Sequence, residues 1–320
     1  MPRVLRVGWL LVGDERVASA RIQGFAVHRD LLRRGIRSEI LNAPGSFDTR
    51  LHWKAPRRWL EALVKRRHVL VFQKVESSRA VRLARLARRA GSRVVFLQSD
   101  LRPSPLYEVA DRIVVCSSEL ARLLAPVLPF PPVVIEDPID LPPDVCASAR
   151  PASRGLRLVW VGSRSNFDAL EILRGVLSRA EFSDFALETV SDHPEASVAW
   201  SREAALRAIR ESDIGLLPCL DTPAARAKSS NRLTLMMGAG LPVIASPIPS
   251  YETIVEHGAS GFLAVSEEEW AGALRALREP ELRRRVGEAA RSAVWRRFAP
   301  EVIGGQWAAL LYETAGIPAA

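Results

Sequence analysis

Short apolar runs alternate with amphipathic stretches along the chain. In the first half the runs predict strands at Val4–Val12, Ile36–Leu41, His68–Gln73, Arg93–Leu97, Arg112–Cys116 and Val133–Glu136. Between them, spacings of three and four predict helices at Val17–Arg34, Pro56–Arg67, Ser77–Ala90 and Ser118–Ala125. Gly35 and Gly91 stand where two of these helices should stop. Strands that alternate with helices predict a parallel sheet covered on both faces. The stretch Leu141–Gly155 holds three prolines, small residues and little periodicity, and reads as a linker.

Past the linker the alternation restarts. Strands are expected at Arg157–Val161, Phe185–Val190, Asp213–Leu217, Pro242–Ala245 and Gly261–Val265. Helices are expected at Asn166–Ser178, Ser201–Glu211, Ser229–Met237, Trp270–Arg278, Glu281–Phe298 and Pro300–Tyr312. The fold class expected is α/β, with two Rossmann-like parallel-sheet domains facing across a cleft. The domains span 1–141 and 156–298, joined by a linker over 142–155. A C-terminal helix over 299–320 is expected to pack back on the first domain. Ligands in such sheets bind beyond the carboxyl ends of the strands.

Composition narrows the class. The 320 residues are 48% hydrophobic and 25% charged, an ordinary globular balance. No apolar run reaches the roughly 18 residues of a membrane span, and the N-terminus lacks the features of a signal peptide. Three scattered cysteines exclude a disulfide framework or zinc finger and fit a cytoplasmic protein. The net charge of +9 is unevenly placed. Residues 1–150 hold 26 basic and 15 acidic side chains, net +11, whereas 151–320 hold 19 and 21, net −2. A basic first half implies an anionic partner: a membrane surface, nucleic acid or a phosphorylated substrate. Only Lys54, Lys65, Lys74 and Lys228 are lysines.

Chemical motifs are mostly missing. There is no G-x-G-x-x-G after the first strand, no P-loop and no G-x-S-x-G elbow. The five histidines lack ligand spacing, so no metal site is expected. The second half offers a more coherent set. Gly162, Ser163 and Arg164 follow its first strand, a βα turn that can either hold phosphate or merely face solvent. Lys228, the only lysine after residue 150, precedes Ser229, Ser230, Asn231 and Arg232 at a predicted helix start. A compact ammonium beside free N–H groups suits a diphosphate; a solvated loop lysine is the plain alternative. Tyr251 could pack on a flat ring or be core. Glu252 could accept from ribose hydroxyls or cap a helix.

Ser212–Ala264 resembles the donor-binding segment of the family-4-like (group 1) glycosyltransferases of GT-B fold. The closing helices with Arg283–Arg285, Phe298 and Trp307, and the opening loop with Gly13, Ser19 and Arg21, resemble that family too. So, more weakly, do Ala110–Arg112, Ser117–Leu124 and Asp137–Asp140. The resemblance implies a nucleotide-diphosphate sugar bound by the second domain and an acceptor bound by the first. It implies transfer with retention, and no cofactor or essential metal. Arg164 and Lys228 match the basic pair that neutralises the leaving diphosphate, and Gly13 would approach the same phosphates. Two family glutamates are replaced by Ala227 and Leu235. The first-domain histidine is replaced within Gln98-Ser99-Asp100, where Asp100 is the candidate substitute.

The expected function is therefore a cytoplasmic glycosyltransferase whose acceptor is a saccharide, a lipid-linked molecule or a small molecule. A degenerate binding or scaffold protein of the same fold is the alternative, and a basic membrane-surface or nucleic-acid binder the third reading. Arg82, Arg85 and Arg89 share one face of the Ser77–Ala90 helix, with Trp53–Trp59 and Lys65–Arg67 nearby in sequence. That face suits either anionic lipid at the inner membrane or plain solvent. No stacking-aromatic motif supports nucleic acid.

Overall fold

The structure is a computed structural model that describes residues 4–51, 67–142, 144–147 and 155–319. The expected helix over 56–67 up to its last residue, Trp53 before it and most of the linker lie outside these residues. Two units emerge. The first comprises Met1–Pro138, Ala227–Ser229 and Phe298–Ala320; the second comprises Ile139–Arg226 and Ser230–Arg297.

In the first unit six strands form one sheet: β1 (Arg6–Leu11), β2 (Arg37–Asn42), β3 (Val69–Gln73), β4 (Arg93–Gln98), β5 (Arg112–Val115) and β6 (Val133–Val134). Their order is β2-β1-β3-β4-β5-β6, all parallel. The continuous apolar runs have a physical reason: both faces are buried. Along β3, Leu70 and Phe72 enter one core, with Ala80, Leu83 and Ala87 of the helix Ser78–Arg89. Val69 and Val71 enter the other, with Val27, Leu31, Ile303 and Trp307. Ser77 caps the Ser78–Arg89 helix by accepting from the Ala80 N–H. Arg82, Arg85 and Arg89 stand exposed on its outer face.

The last helix, Pro300–Ala315, belongs to this unit. Trp307 is 2% exposed and meets Trp9 with ring centroids 5.4 Å apart. A Cβ on Gly304 would overlap the Asp30 carboxylate, so glycine sets the close approach to the helix Ala26–Arg33. The helix runs three residues past the predicted end because Gly316, at φ +64°, supplies the left-handed stop.

The second unit repeats the plan with β7 (Arg157–Val161), β8 (Ala186–Ser191), β9 (Val198–Ala199), β10 (Ile214–Leu217), β11 (Val243–Ala245) and β12 (Phe262–Leu263). The order is β12-β11-β10-β7-β8-β9, again all parallel. Leu158, Leu216 and Ile244 pack against Trp270 and Leu274. The helix carrying these two starts at Glu267, a turn before the prediction. A capping box between Ser266 and Glu269 fixes that start.

Three expectations need correction. The predicted Val17–Arg34 helix is broken by a π-turn at Arg21–Phe25. The predicted Asn166–Ser178 helix is a 3₁₀ segment, Arg164–Leu170, followed by an α-helix at Glu171–Leu177. The helix after Lys228 begins at Asn231, not Ser229, with Ser230 as N-cap making no side-chain cap bond. Two short helices, Pro223–Arg226 and Pro249–Glu252, and strand β9 carry too few residues for periodicity to reveal.

Candidate functional site

At the carboxyl edge of the second sheet, Gly162 directly follows β7. A Cβ there would lie 2.5 Å from the Trp160 ring and 3.2 Å from Arg232 Nη1, so glycine admits the guanidinium. Arg232 Nη2 donates to Cys219 Sγ at 3.7 Å, just past β10, and the guanidinium also hydrogen-bonds the Tyr251 hydroxyl. The Cys219 N–H donates to Ser246 Oγ at 3.0 Å, just past β11. No carboxylate pairs with Arg232 among the described residues, and its Nη1 is buried without an acceptor. Burial pushes the Tyr251 hydroxyl up and keeps it protonated. A guanidinium does not deprotonate in proteins, so three strands position a fixed positive charge.

The neighbouring turn is polar and open. Ser163 Oγ accepts from Asn166 Nδ2 at 2.9 Å and lies 3.0 Å from Ser165 Oγ. Ser163 and Arg164 are exposed. The Arg164 N–H is already taken by Asp192 Oδ1 at 2.6 Å, so the turn offers one backbone donor fewer than the sequence implies. Phe167 stacks on His193 with centroids 4.0 Å apart and meets Trp160 edge-on at 5.6 Å. That aromatic group was not legible, because Phe167 and His193 come from different βα turns.

Tyr251 is 1% exposed, so its ring is core and cannot serve as a flat stacking platform. Its contribution is the hydroxyl on Arg232. Glu252 is exposed at the end of Pro249–Glu252, its own short helix, and caps no following one.

Lys228 and Ser229 belong to the first unit, whereas Arg164 and Arg232 belong to the second. Lys228 is exposed and acts electrostatically on Asp100. The Ser229 hydroxyl bonds the buried Asp137 carboxyl, which also accepts from Gln23 Nε2 at 3.0 Å. Burial pushes Asp137 up, against the pull of these bonds. Gln73 Nε2 donates to Gln23 Oε1 at 3.1 Å, closing a polar network under the carboxyl ends of β3 and β6. The π-turn is what places Gln23 there, as such bulges often do at functional sites. Gly13 follows β1, and a Cβ on it would overlap Val17.

Asp100 follows β4, and its Oδ2 meets Lys74 Nζ at 2.6 Å. Burial pushes Asp100 up, but Lys74, with Lys228 and Arg102, outweighs it and holds the carboxyl below its usual range. Lys74 is the residue that sequence reasoning missed. Its signal was composition, one of four lysines in an arginine-rich chain.

Comparison with known proteins now adds a constraint. Residues 174–307 match a family model described as Glycosyl transferase-like. The chain has the GT-B fold. No curated protein matches the sequence. A glycosyltransferase from Rickettsia africae is similar at TM-score 0.72 and 14% identity, with 97% of this chain and 98% of that one covered. HepE of Anabaena in complex with UDP and glucose gives TM-score 0.70 and 13% identity over 96% and 100%. Sucrose-phosphate synthase from Thermosynechococcus elongatus gives 0.63 and 14% over 96% and 98%. At such identities the likeness establishes the fold.

The two positions expected to carry glutamates are filled by apolar side chains. Ala227 is 3% exposed and packs in the first unit's core, while Leu235 is half-buried in the helix Asn231–Gly238. No group of histidine, cysteine and carboxylate side chains suited to a metal occurs among the described residues.

Proposed function

We propose that the chain is a glycosyltransferase that takes its sugar from a nucleotide-diphosphate donor. The observation that carries this reading is Arg232, a half-buried cation held by Tyr251 and Cys219 with no carboxylate partner among the described residues. An arginine so placed, at the carboxyl edge of a parallel sheet, is suited to an anionic ligand. The match over residues 174–307 and the UDP in the HepE structure support a nucleotide-diphosphate sugar as that ligand.

When the bond from sugar to diphosphate breaks, charge builds on the leaving phosphate. Preorganised cations lower that barrier most where water is excluded. Arg232 and Arg164 are assigned this role in the second unit, with Ser163 and Asn231 as polar contacts. Lys228, Ser229 and Ser230 are assigned to the donor as the sequence likeness implies, and Gly13 likewise. These cations give metal-independent transfer its physical basis. Retention follows the family resemblance. The acceptor is assigned to the basic first unit, and a saccharide is favoured. The pneumococcal O-GlcNAc transferase GtfA, of similar fold at TM-score 0.58 and 14% identity over 81% of this chain, is bound to UDP and GlcNAc.

Thermal unfolding in the presence of nucleotide sugars tests the reading. At about 100 times the dissociation constant a donor stabilises by roughly 2.7 kcal/mol, so the midpoint should rise by several degrees. Arg164→Ala and Lys228→Ala should each reduce that rise. No rise with any UDP-, GDP- or ADP-sugar contradicts the proposal.

One observation favours a second reading, a binding protein that has lost catalysis. Ala227 and Leu235 leave no carboxylate where the family has two. Donor binding without release of free nucleotide would support it. We place the protein in the cytoplasm, with the Arg82–Arg85–Arg89 face docking on anionic lipid. No helix among the described residues is long and apolar enough to cross a membrane. Pelleting with phosphatidylglycerol vesicles that weakens as salt rises is the expected result; pelleting that ignores salt contradicts it.

A further inference from the structure

Lys74 occupies an unusual place for a lysine. It directly follows β3, is 6% exposed, and is the one non-glycine residue among those described with positive φ, at +60°. A left-handed conformation is unfavourable for a side-chain-bearing residue, and such strain concentrates at functional sites. Its backbone is pinned by a bond from the Lys74 N–H to the Leu97 carbonyl at 3.0 Å. Its stem is fixed beside Phe47, whose ring centroid lies 5.3 Å from Nζ.

The ammonium has one carboxylate within reach among the described residues. Lys74 Nζ stands 2.6 Å from Asp100 Oδ2, with the lysine side chain 8% exposed and the aspartate side chain 34% exposed. The pair is therefore anchored on the inside and open on the outside. The Asp100 backbone is also tied, its N–H donating to Gln98 Oε1 at 3.1 Å, as does that of Ser99 at 3.0 Å. Gln98 itself is fully buried at the end of β4. These connections hold Asp100 past the carboxyl end of β4, at the edge of the sheet where ligands bind.

We propose that Lys74 is a positioning residue. Its ammonium clamps Asp100 Oδ2, so that the rest of the carboxylate is presented as a fixed hydrogen-bond acceptor for a substrate hydroxyl. The inference rests on the glycosyltransferase reading, which supplies a polyhydroxylated substrate. A carboxylate accepts only, whereas a protonated one would also donate. The clamp thus selects the acceptor form. The charged groups that face Asp100 are Lys74 beyond β3, Lys228 from the Ala227–Ser229 segment and Arg102 on its own loop. The buried Cys116, beyond β5, interacts electrostatically with both members of the pair, and the buried Asp137, beyond β6, with Lys74. Without Lys74, burial raises the Asp100 carboxyl against Lys228 and Arg102 alone.

The test uses the full chain as wild type, Lys74→Gly, Lys74→Arg and Asp100→Asn. Glycine suits the left-handed backbone, so Lys74→Gly keeps the fold while removing the ammonium. Two signals are read: release of nucleotide from a panel of UDP-, GDP- and ADP-hexoses across pH, and the carboxyl ¹³C titration of Asp100. Lys74→Gly should lower kcat at least tenfold with KM for the donor within twofold. Its acidic limb should move to higher pH together with the Asp100 titration, and Lys74→Arg should restore part of both. In the Asp100→Asn background, Lys74→Gly should add no further loss. Unchanged kcat and an unmoved limb in Lys74→Gly, in a chain that releases nucleotide, overturn the inference and leave the transferase reading standing. No nucleotide release by the wild type overturns both.

Discussion

Replacing Arg232 with methionine is expected to lower the rate of nucleotide release from the donor by about 10² to 10³, the scale for loss of one preorganised charge-stabilising group. The fold should survive. Methionine has similar length, and Tyr251 keeps Cys219 as a hydrogen-bond partner when the guanidinium is gone. A half-buried cation with a buried, unsatisfied Nη1 and no carboxylate among the described residues costs stability, so its removal should leave the unfolding midpoint unchanged or raise it. Loss of activity together with retained or increased stability is the signature of a residue kept for its ligand. Arg232→Lys should recover little, because an ammonium cannot span both Tyr251 and Cys219 with a planar fork. Kinetics and calorimetry on the same preparations check it. A large drop in midpoint would show that Arg232 serves the core instead.

Trp307→Ala should produce the largest loss of stability, about 3–5 kcal/mol by the usual cost of deleting a buried tryptophan. Trp307 comes from the last helix and fills the space over Trp9 on β1, among Val27, Leu31 and Ile303. Deleting it opens a cavity between two faces that glycine at 304 holds close, so little collapse is available. The loss should fall on the first unit alone. A fall of roughly 10 °C in that unit's transition is expected, at about 2–4 °C per kcal/mol for a unit of this size. Scanning calorimetry that resolves two transitions reads it directly, and a loss below 1 kcal/mol contradicts the packing described.

The two-sheet architecture was legible because parallel strands are buried on both faces and leave long apolar runs, as in Val69–Gln73 and Arg93–Gln98. What stayed hidden depended on local geometry. The π-turn at Arg21–Phe25 has no periodicity of its own, and neither does the 3₁₀ start at Arg164. Short elements such as Pro249–Glu252 fall below one helical repeat.

The site divides in the same way. Gly162 and Arg232 could be named from their place beside a strand end and a helix start. Their contact could not, since seventy positions separate them. For Tyr251 the sequence allows a ligand platform or a core ring, and the structure makes it core with a polar tip on Arg232. Lys74 escaped because its meaning lies in a backbone angle and in a partner 26 positions away, Asp100.

The central claim is that the second unit holds a donor diphosphate on Arg232. Calorimetric titration of UDP into wild type and Arg232→Met tests it most directly, with GDP and ADP run alongside. Saturable binding of one of these nucleoside diphosphates to the wild type, weakened at least a hundredfold in a folded Arg232→Met, is the predicted result. Equal affinity in the two proteins, or no binding of any of the three to the wild type, would contradict it.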